Sequence, residues 1–285
     1  MLKPIINIFP AANTPMDNLP TWRALPSFGL AHLDPFIFIN HHGPATFEPH
    51  NPGLPFGPHP HRGFETLTFV FEGEVYHRDS HGGEGVIRPG GVQWMTAGRG
   101  IIHTEISSKE FQENGGNVHL VQIWMNLPPE LKMTAPGYQD LDAEKIIQIN
   151  GVDGKSVLHL ISGDFAGKKG PAKSITNLFT AWLEIKAGGT FSWDVEAEKN
   201  IMFYIVNGEI VVNGNPANTH KLVQFSKEDG AIEIDAKEDS IILLGHGTPF
   251  NAPIVAQGPF VMNSDTQILE AMRDYRMGKM GVWID

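Results

Sequence analysis

From Phe64 to Ser107 short β-rich runs alternate with turn signals at Glu72-Gly73, Ser80 to Gly85, Pro89-Gly90-Gly91 and Ala97 to Gly100. A chain interrupted this often cannot sustain helices and must build many short strands, which close into a sandwich or a barrel. The idiom returns in the second half, where Ala181 to Ile185, Ile201 to Val206, Ile210 to Val212, Leu222 to Phe225, Ala231 to Ile234 and Ser240 to Leu244 are strand candidates. Between the halves, Asn126 to Ser156 carries Leu127-Pro128-Pro129, Pro136-Gly137 and Gly151 to Gly154 without sustained periodicity, and reads as a connection. A boundary near residue 140 follows, giving one unit over 1–140 and another over 141–285.

Phe71-Glu72-Gly73-Glu74-Val75 lines up with Val206-Asn207-Gly208-Glu209-Ile210 at an offset of 135 residues. Each closes one apolar strand and opens the next, so the chain reads as two copies of one β-barrel unit. One helix is expected near the C-terminus. Ser264 and Gln267 can form its capping box, Ile268, Met272 and Tyr275 share a face, and Gly278 ends it. It reads as a lid packed on a barrel.

The 32 acidic and 21 basic side chains leave a formal charge of −11, and no basic patch offsets it. Such a surface repels phosphate backbones and anionic lipid, so nucleic acid is not expected as a direct partner. No cysteine is present. Disulfides, thiolate nucleophiles and Cys-ligated metals are therefore excluded, and any metal must sit on His and carboxylates. Pro4 and Pro10 interrupt the apolar N-terminal stretch, and no apolar run approaches the length of a bilayer span. A cytoplasmic protein that does not enter membranes is expected.

Two motifs carry chemistry: His59 and His61 in Gly57-Pro58-His59-Pro60-His61, and His103 and Glu105 in Ile101-Ile102-His103-Thr104-Glu105. Residues i and i+2 of a strand project to one side, about 7 Å apart, so two neighbouring strands can aim four donors at one point. The 42 residues from His61 to His103 hold about three strands, enough to leave a barrel wall and return beside it. Three imidazoles and a carboxylate suit a borderline divalent cation. Iron(II) prefers six positions and would keep two open for substrate and oxygen.

Pro58-His59-Pro60-His61-Arg62-Gly63-Phe64-Glu65-Thr66, followed by Gln93-Trp94-Met95-Thr96-Ala97-Gly98-Arg99-Gly100-Ile101-Ile102-His103-Thr104-Glu105, resembles the pirin family of two-barrel cupins. The resemblance extends to Gly258-Pro259-Phe260-Val261-Met262-Asn263 and the helix after it. It implies an all-β bicupin, two tandem cupin barrels with a short C-terminal helix. It also implies one divalent ion per chain, held in the first barrel by His59, His61, His103 and Glu105. Iron(II) is expected, with Mn, Co, Ni, Zn and Cu as alternatives. Some members of the family open a flavonol ring as quercetin 2,3-dioxygenases, and a eukaryotic member is a nuclear transcriptional co-regulator.

Two features depart from the general cupin pattern: Thr96 stands where many cupins have Pro, and the second ligand pair ends in Glu105. Glu65 competes for the fourth position. It lies four residues, about 13 Å of strand, beyond His61, whereas Glu105 is two residues from His103. Glu105 is therefore expected as ligand, with Glu65 beside the site, orienting an imidazole or facing a neighbouring donor. At the 135-residue offset His59 and His61 correspond to Asp194 and Glu196. His220 and His246 stand alone, so no equivalent metal is expected in the second barrel. His41-His42, His50, His77, His81, His119 and His159 read as surface or core groups.

The leading expectation is a mononuclear non-haem dioxygenase acting with O2 on a flavonol, with Glu105 as the base that takes the 3-hydroxyl proton. The alternative is an iron-dependent, redox-responsive regulatory module that binds a protein partner, because oxidation adds one charge inside a low-dielectric barrel. A non-redox isomerase or sugar-binding cupin ranks third.

Overall fold

Short strands need partners, and a computed structural model, which describes residues 1–283, shows how they find them. The chain divides into two compact units. One comprises Asn13–Thr21, Phe38–Ala143 and the segment from Phe250 onward; the other comprises Met1–Ala12, Trp22–Ile37 and Glu144–Pro249.

Each unit contains a four-stranded antiparallel sheet of the same order. In the first it runs Phe56–His61, Ile101–Ile106, Val75–Asp79, Glu84–Ile87; in the second, Thr190–Val195, Gly230–Ala236, Glu209–Val212, Asn215–Asn218. The larger sheets also match. Val92–Thr96, Phe64–Glu72 and Gly116–Asn126 lie side by side in the first unit, as Lys221–Phe225, Asn200–Asn207 and Ser240–Gly247 do in the second.

The paired turns at Gly73 and Gly208 have the same cause in both copies. Their φ angles are 78° and 93°, a region open to glycine at little cost. An added Cβ would lie 2.5 Å from the Asn117 carbonyl oxygen at Gly73, and against the Ser240 hydroxyl at Gly208.

The second unit is filled by an apolar core that includes Leu183, Trp193, Val195, Phe203, Ile232 and Leu244. Trp193 and Val195 face inward, and Asp194 and Glu196 are exposed. This corrects the expected correspondence. His61 pairs with Ile101, the first residue of its partner strand, and Val195 pairs with Gly230, the first residue of its own. The positions equivalent to His59 and His61 are thus Trp193 and Val195. The shift arises because the next connection spans 196–199 in the second unit but only 62–63 in the first.

The C-terminal helix spans Asp265–Arg276, with the Ser264 hydroxyl accepting from the Gln267 amide. The reciprocal bond differs from a capping box, because the Gln267 side chain accepts from Asn263 N instead. Its inner face is Ile268 and Ala271, packed with Ile102, Phe260, Met262 and Met280, while Tyr275 is exposed. The helix, counted above with 141–285, lies in the unit that carries the histidine motifs. No helix among the described residues is long and apolar enough to cross a membrane.

Candidate metal centre

The Phe56–His61 strand is the edge of its sheet, where Pro58 and Pro60 are tolerated because no neighbour requires their missing N–H. Its single partner is Ile101–Ile106, and His59 stands directly opposite His103. His61, two residues on, projects to the same side. The ring centroids lie 4.4 Å apart for His59 and His103, 4.7 Å for His59 and His61, and 4.9 Å for His61 and His103. One nitrogen from each ring falls within 4.8 Å of the others, a cluster that could hold a metal ion.

Two observations show that these residues fit a cation. Both ring nitrogens of His61 and of His103 are buried without a hydrogen bond of ordinary geometry among the described residues. Orphaned buried polar atoms are rare because each is costly, and an ion at their focus removes that cost. The His59 Nδ1 lies 2.7 Å from the Gly57 carbonyl oxygen, to which it can only donate, leaving the Nε2 lone pair free for a cation. Burial first, then repulsion from His103 and His59, holds His61 well below the usual histidine range; the Pro259 carbonyl opposes this weakly. Burial also dominates at His103, reinforced by His59 and His77. Buried imidazoles held neutral are ready as donors.

Glu105 falls outside this trio. Its Oε2 lies 3.7 Å from His103 Nε2, and its side chain is 6% exposed. The pairing slips between His103 and Glu105, so that Glu105 faces Phe56 and the edge strand carries an extra residue. Glu105 instead accepts from the Gln122 amide, 2.8 Å to Oε1 and 3.0 Å to Oε2, and from the Thr68 hydroxyl at 3.3 Å. Of the two roles open to Glu65, the structure shows the neighbouring donor: its Oε1 accepts from Trp94 Nε1 at 3.0 Å and Thr96 Oγ1 at 2.6 Å. Strand alternation turns Glu65 to the sheet face opposite Thr66 and Thr68. Burial raises its carboxyl above the usual range, opposed by those two hydrogen bonds.

The next residues brace the site. Arg62 donates through Nε to the Arg99 carbonyl at 2.6 Å and through Nη1 to Asp274 at 3.0 Å. Lys132, buried, donates to the carbonyls of Gly63 and Val261 and to Asn126. Trp124 is stacked between Phe38 and Phe64, each 4.4 Å away, and meets the His61 ring edge-on at 5.2 Å.

The sequence reading missed Gln122 and Trp124. The signal was present: in Leu120 to Asn126 the apolar set Val121, Ile123 and Met125 alternates with Gln122 and Trp124, which places a polar side chain on an inward face. His77, read as a surface or core group, is buried, with its Nε2 3.0 Å from Asp140 Oδ2. His41 and His119, read as surface or core groups, form a buried pair with their Nε2 atoms 2.7 Å apart.

The pirin family model matches residues 19–125, and that of the pirin C-terminal cupin domain matches residues 181–281. A Pseudomonas aeruginosa protein named "Putative quercetin 2,3-dioxygenase" is 35% identical over 282 residues, 98% of each chain. A pirin-like protein of Solanum lycopersicum is 36% identical and covers 88% of this chain and 84% of its own. The crystal structure of quercetin 2,3-dioxygenase from Acinetobacter baumannii is 36% identical and matches 100% of both chains with a TM-score of 0.93. With its two cupin units, this chain belongs to the pirin family.

Proposed function

We propose that the chain is a mononuclear non-haem metal-dependent dioxygenase that opens a flavonol ring with loss of carbon monoxide. The observation that supports it best is the trio His59, His61 and His103, convergent and largely buried, with a carboxylate beside it. The names of relatives that match nearly the full chain support the same chemistry. The assigned ligands are His59, His61, His103 and Glu105, and the ion is iron(II), one per chain, in the unit that carries these residues. Bound there, iron(II) supplies open coordination positions and the one-electron redox capacity that reaction with O2 requires.

The protein's own part is positioning and proton handling. The Gly57 carbonyl keeps His59 in the tautomer that aims its Nε2 lone pair at the focus. Glu105 takes the 3-hydroxyl proton of the flavonol, and its second oxygen stays within reach of the ion. The Gln122 amide and the Thr68 hydroxyl donate to its Oε1 and fix where the carboxylate stands. The Trp124 ring, edge-on to His61, adds apolar surface beside that imidazole.

The test is aerobic turnover of quercetin by protein reconstituted anaerobically with iron(II), with carbon monoxide measured as product. Stoichiometric release supports the assignment. No turnover with iron, manganese, cobalt, nickel, zinc or copper overturns it.

A further inference from the structure

Glu105 is a buried carboxylate with no lysine or arginine salt bridge among the described residues. Burying such a charge is costly unless donors surround it. Here the main donor is one amide nitrogen, Gln122 Nε2, shared between the two carboxylate oxygens at 2.8 and 3.0 Å. An amide can present either end to a neighbour, and this one is fixed from behind. The indole Nε1 of Trp124 has only an N–H to give, and it lies 3.0 Å from Gln122 Oε1. A flipped amide would set its NH2 against the indole N–H and its carbonyl oxygen against the carboxylate.

The indole is itself held, stacked between Phe38 and Phe64. Gln122 and Trp124 are alternate residues of one strand, so their side chains share a face, and Gln122 also donates to Thr68 at 3.1 Å. A chain of orientation thus runs from packed aromatic rings through an indole and an amide to the carboxylate next to His103.

We propose that Gln122, oriented by Trp124, is a positioning residue that holds Glu105 beside the histidine trio and within reach of a flavonol hydroxyl. This rests on the reading of Glu105 as the base. Without the amide, Glu105 keeps only the weaker Thr68 contact and changes position, so its oxygens no longer meet the substrate's proton.

The experiment uses the full chain and the variants Gln122→Leu and Trp124→Phe, each loaded with cobalt(II), whose visible bands report its surroundings. Quercetin is then added without oxygen, and the longer-wavelength absorption of the deprotonated flavonol is measured. Both variants are expected to bind cobalt through the three histidines. In Gln122→Leu the cobalt band should move and flavonolate formation should fall about tenfold, the scale of one lost charge-assisted hydrogen bond. In aerobic turnover with iron, kcat should fall by the same factor with KM unchanged. Trp124→Phe keeps the ring but not the donor, and should show the same changes at about two- to fivefold. It also preserves the test if Gln122→Leu does not fold.

Cobalt bands that stay in place in both variants overturn the proposal whatever quercetin does. A moved band with wild-type flavonolate formation also overturns it. If wild-type protein forms no flavonolate while the variants still move the band, Gln122 stands as the holder of Glu105 and the base reading falls instead.

Discussion

Replacing His103 by leucine should separate a cation site from an ordinary polar core. His103 is 0% exposed and neither ring nitrogen has a hydrogen-bond partner among the described residues. A buried unsatisfied polar atom costs about 1–3 kcal/mol, and an apolar replacement of similar size costs less than about 1.5 kcal/mol in packing. The metal-free His103→Leu protein should therefore be more stable than wild type by about 1–2 kcal/mol. For units of this size that is a rise of a few degrees in Tm. Metal should reverse the order. An ion at 100 times its Kd adds about 2.7 kcal/mol to a protein that binds it, and the variant, missing one of three nitrogen donors, should gain almost none. Urea unfolding with chelator, and again with cobalt(II), measures both differences. A chelated variant that loses more than about 2 kcal/mol, or one that keeps the wild-type metal increment, would refute the reasoning, because His103 would then be a structural group.

Burial holds His246 at about 4, reinforced by Lys199 and Lys3, while the unfolded chain protonates near 6.5. The unfolded state therefore binds the proton first, and stability is lost as pH falls from about 6.5 to about 4, by up to about 3 kcal/mol. His246→Phe should flatten that limb in urea unfolding at pH 7, 5.5 and 4.5; an unchanged slope contradicts it. Gly73→Ala adds a Cβ 2.5 Å from a backbone oxygen at φ 78°, and should cost about 2–4 kcal/mol, whereas Gly82→Ala at φ 88° meets nothing within 4 Å and should cost about 1 kcal/mol. Equal losses would show that the close approach is not what demands glycine at 73. Glu65→Gln keeps an acceptor for Trp94 and Thr96 and should leave metal content unchanged, while Glu105→Gln should lower kcat about 10²-fold or more. Metal lost from the first and kept in the second would exchange the assigned roles.

Period-two alternation made the histidine pairs legible, because it depends only on strand geometry, and His59, His61 and His103 lie together in space as alternation and pairing require. The contact of Glu105 with Gln122, and the slip that sets Glu105 opposite Phe56, were not legible: they depend on which residues neighbouring strands bring together, not on spacing within either one. The same limit explains Asp194 and Glu196. Counting from the Gly73 and Gly208 turns carries the count across a connection of different length in the two units, and a slip of one residue exchanges carboxylates for Trp193 and Val195. Membership of the C-terminal helix depends on what Ile268 and Ala271 pack against, a tertiary fact that the amphipathic pattern does not contain.

Elemental analysis of anaerobically reconstituted protein, joined to anomalous scattering at the absorption edge of the bound element, addresses the metal centre directly. The prediction is a single ion per chain bonded to nitrogens of His59, His61 and His103 and to a carboxylate oxygen of Glu105. A reconstituted crystal with nothing at that focus, or with its ion near Trp193 and Val195, would contradict the account.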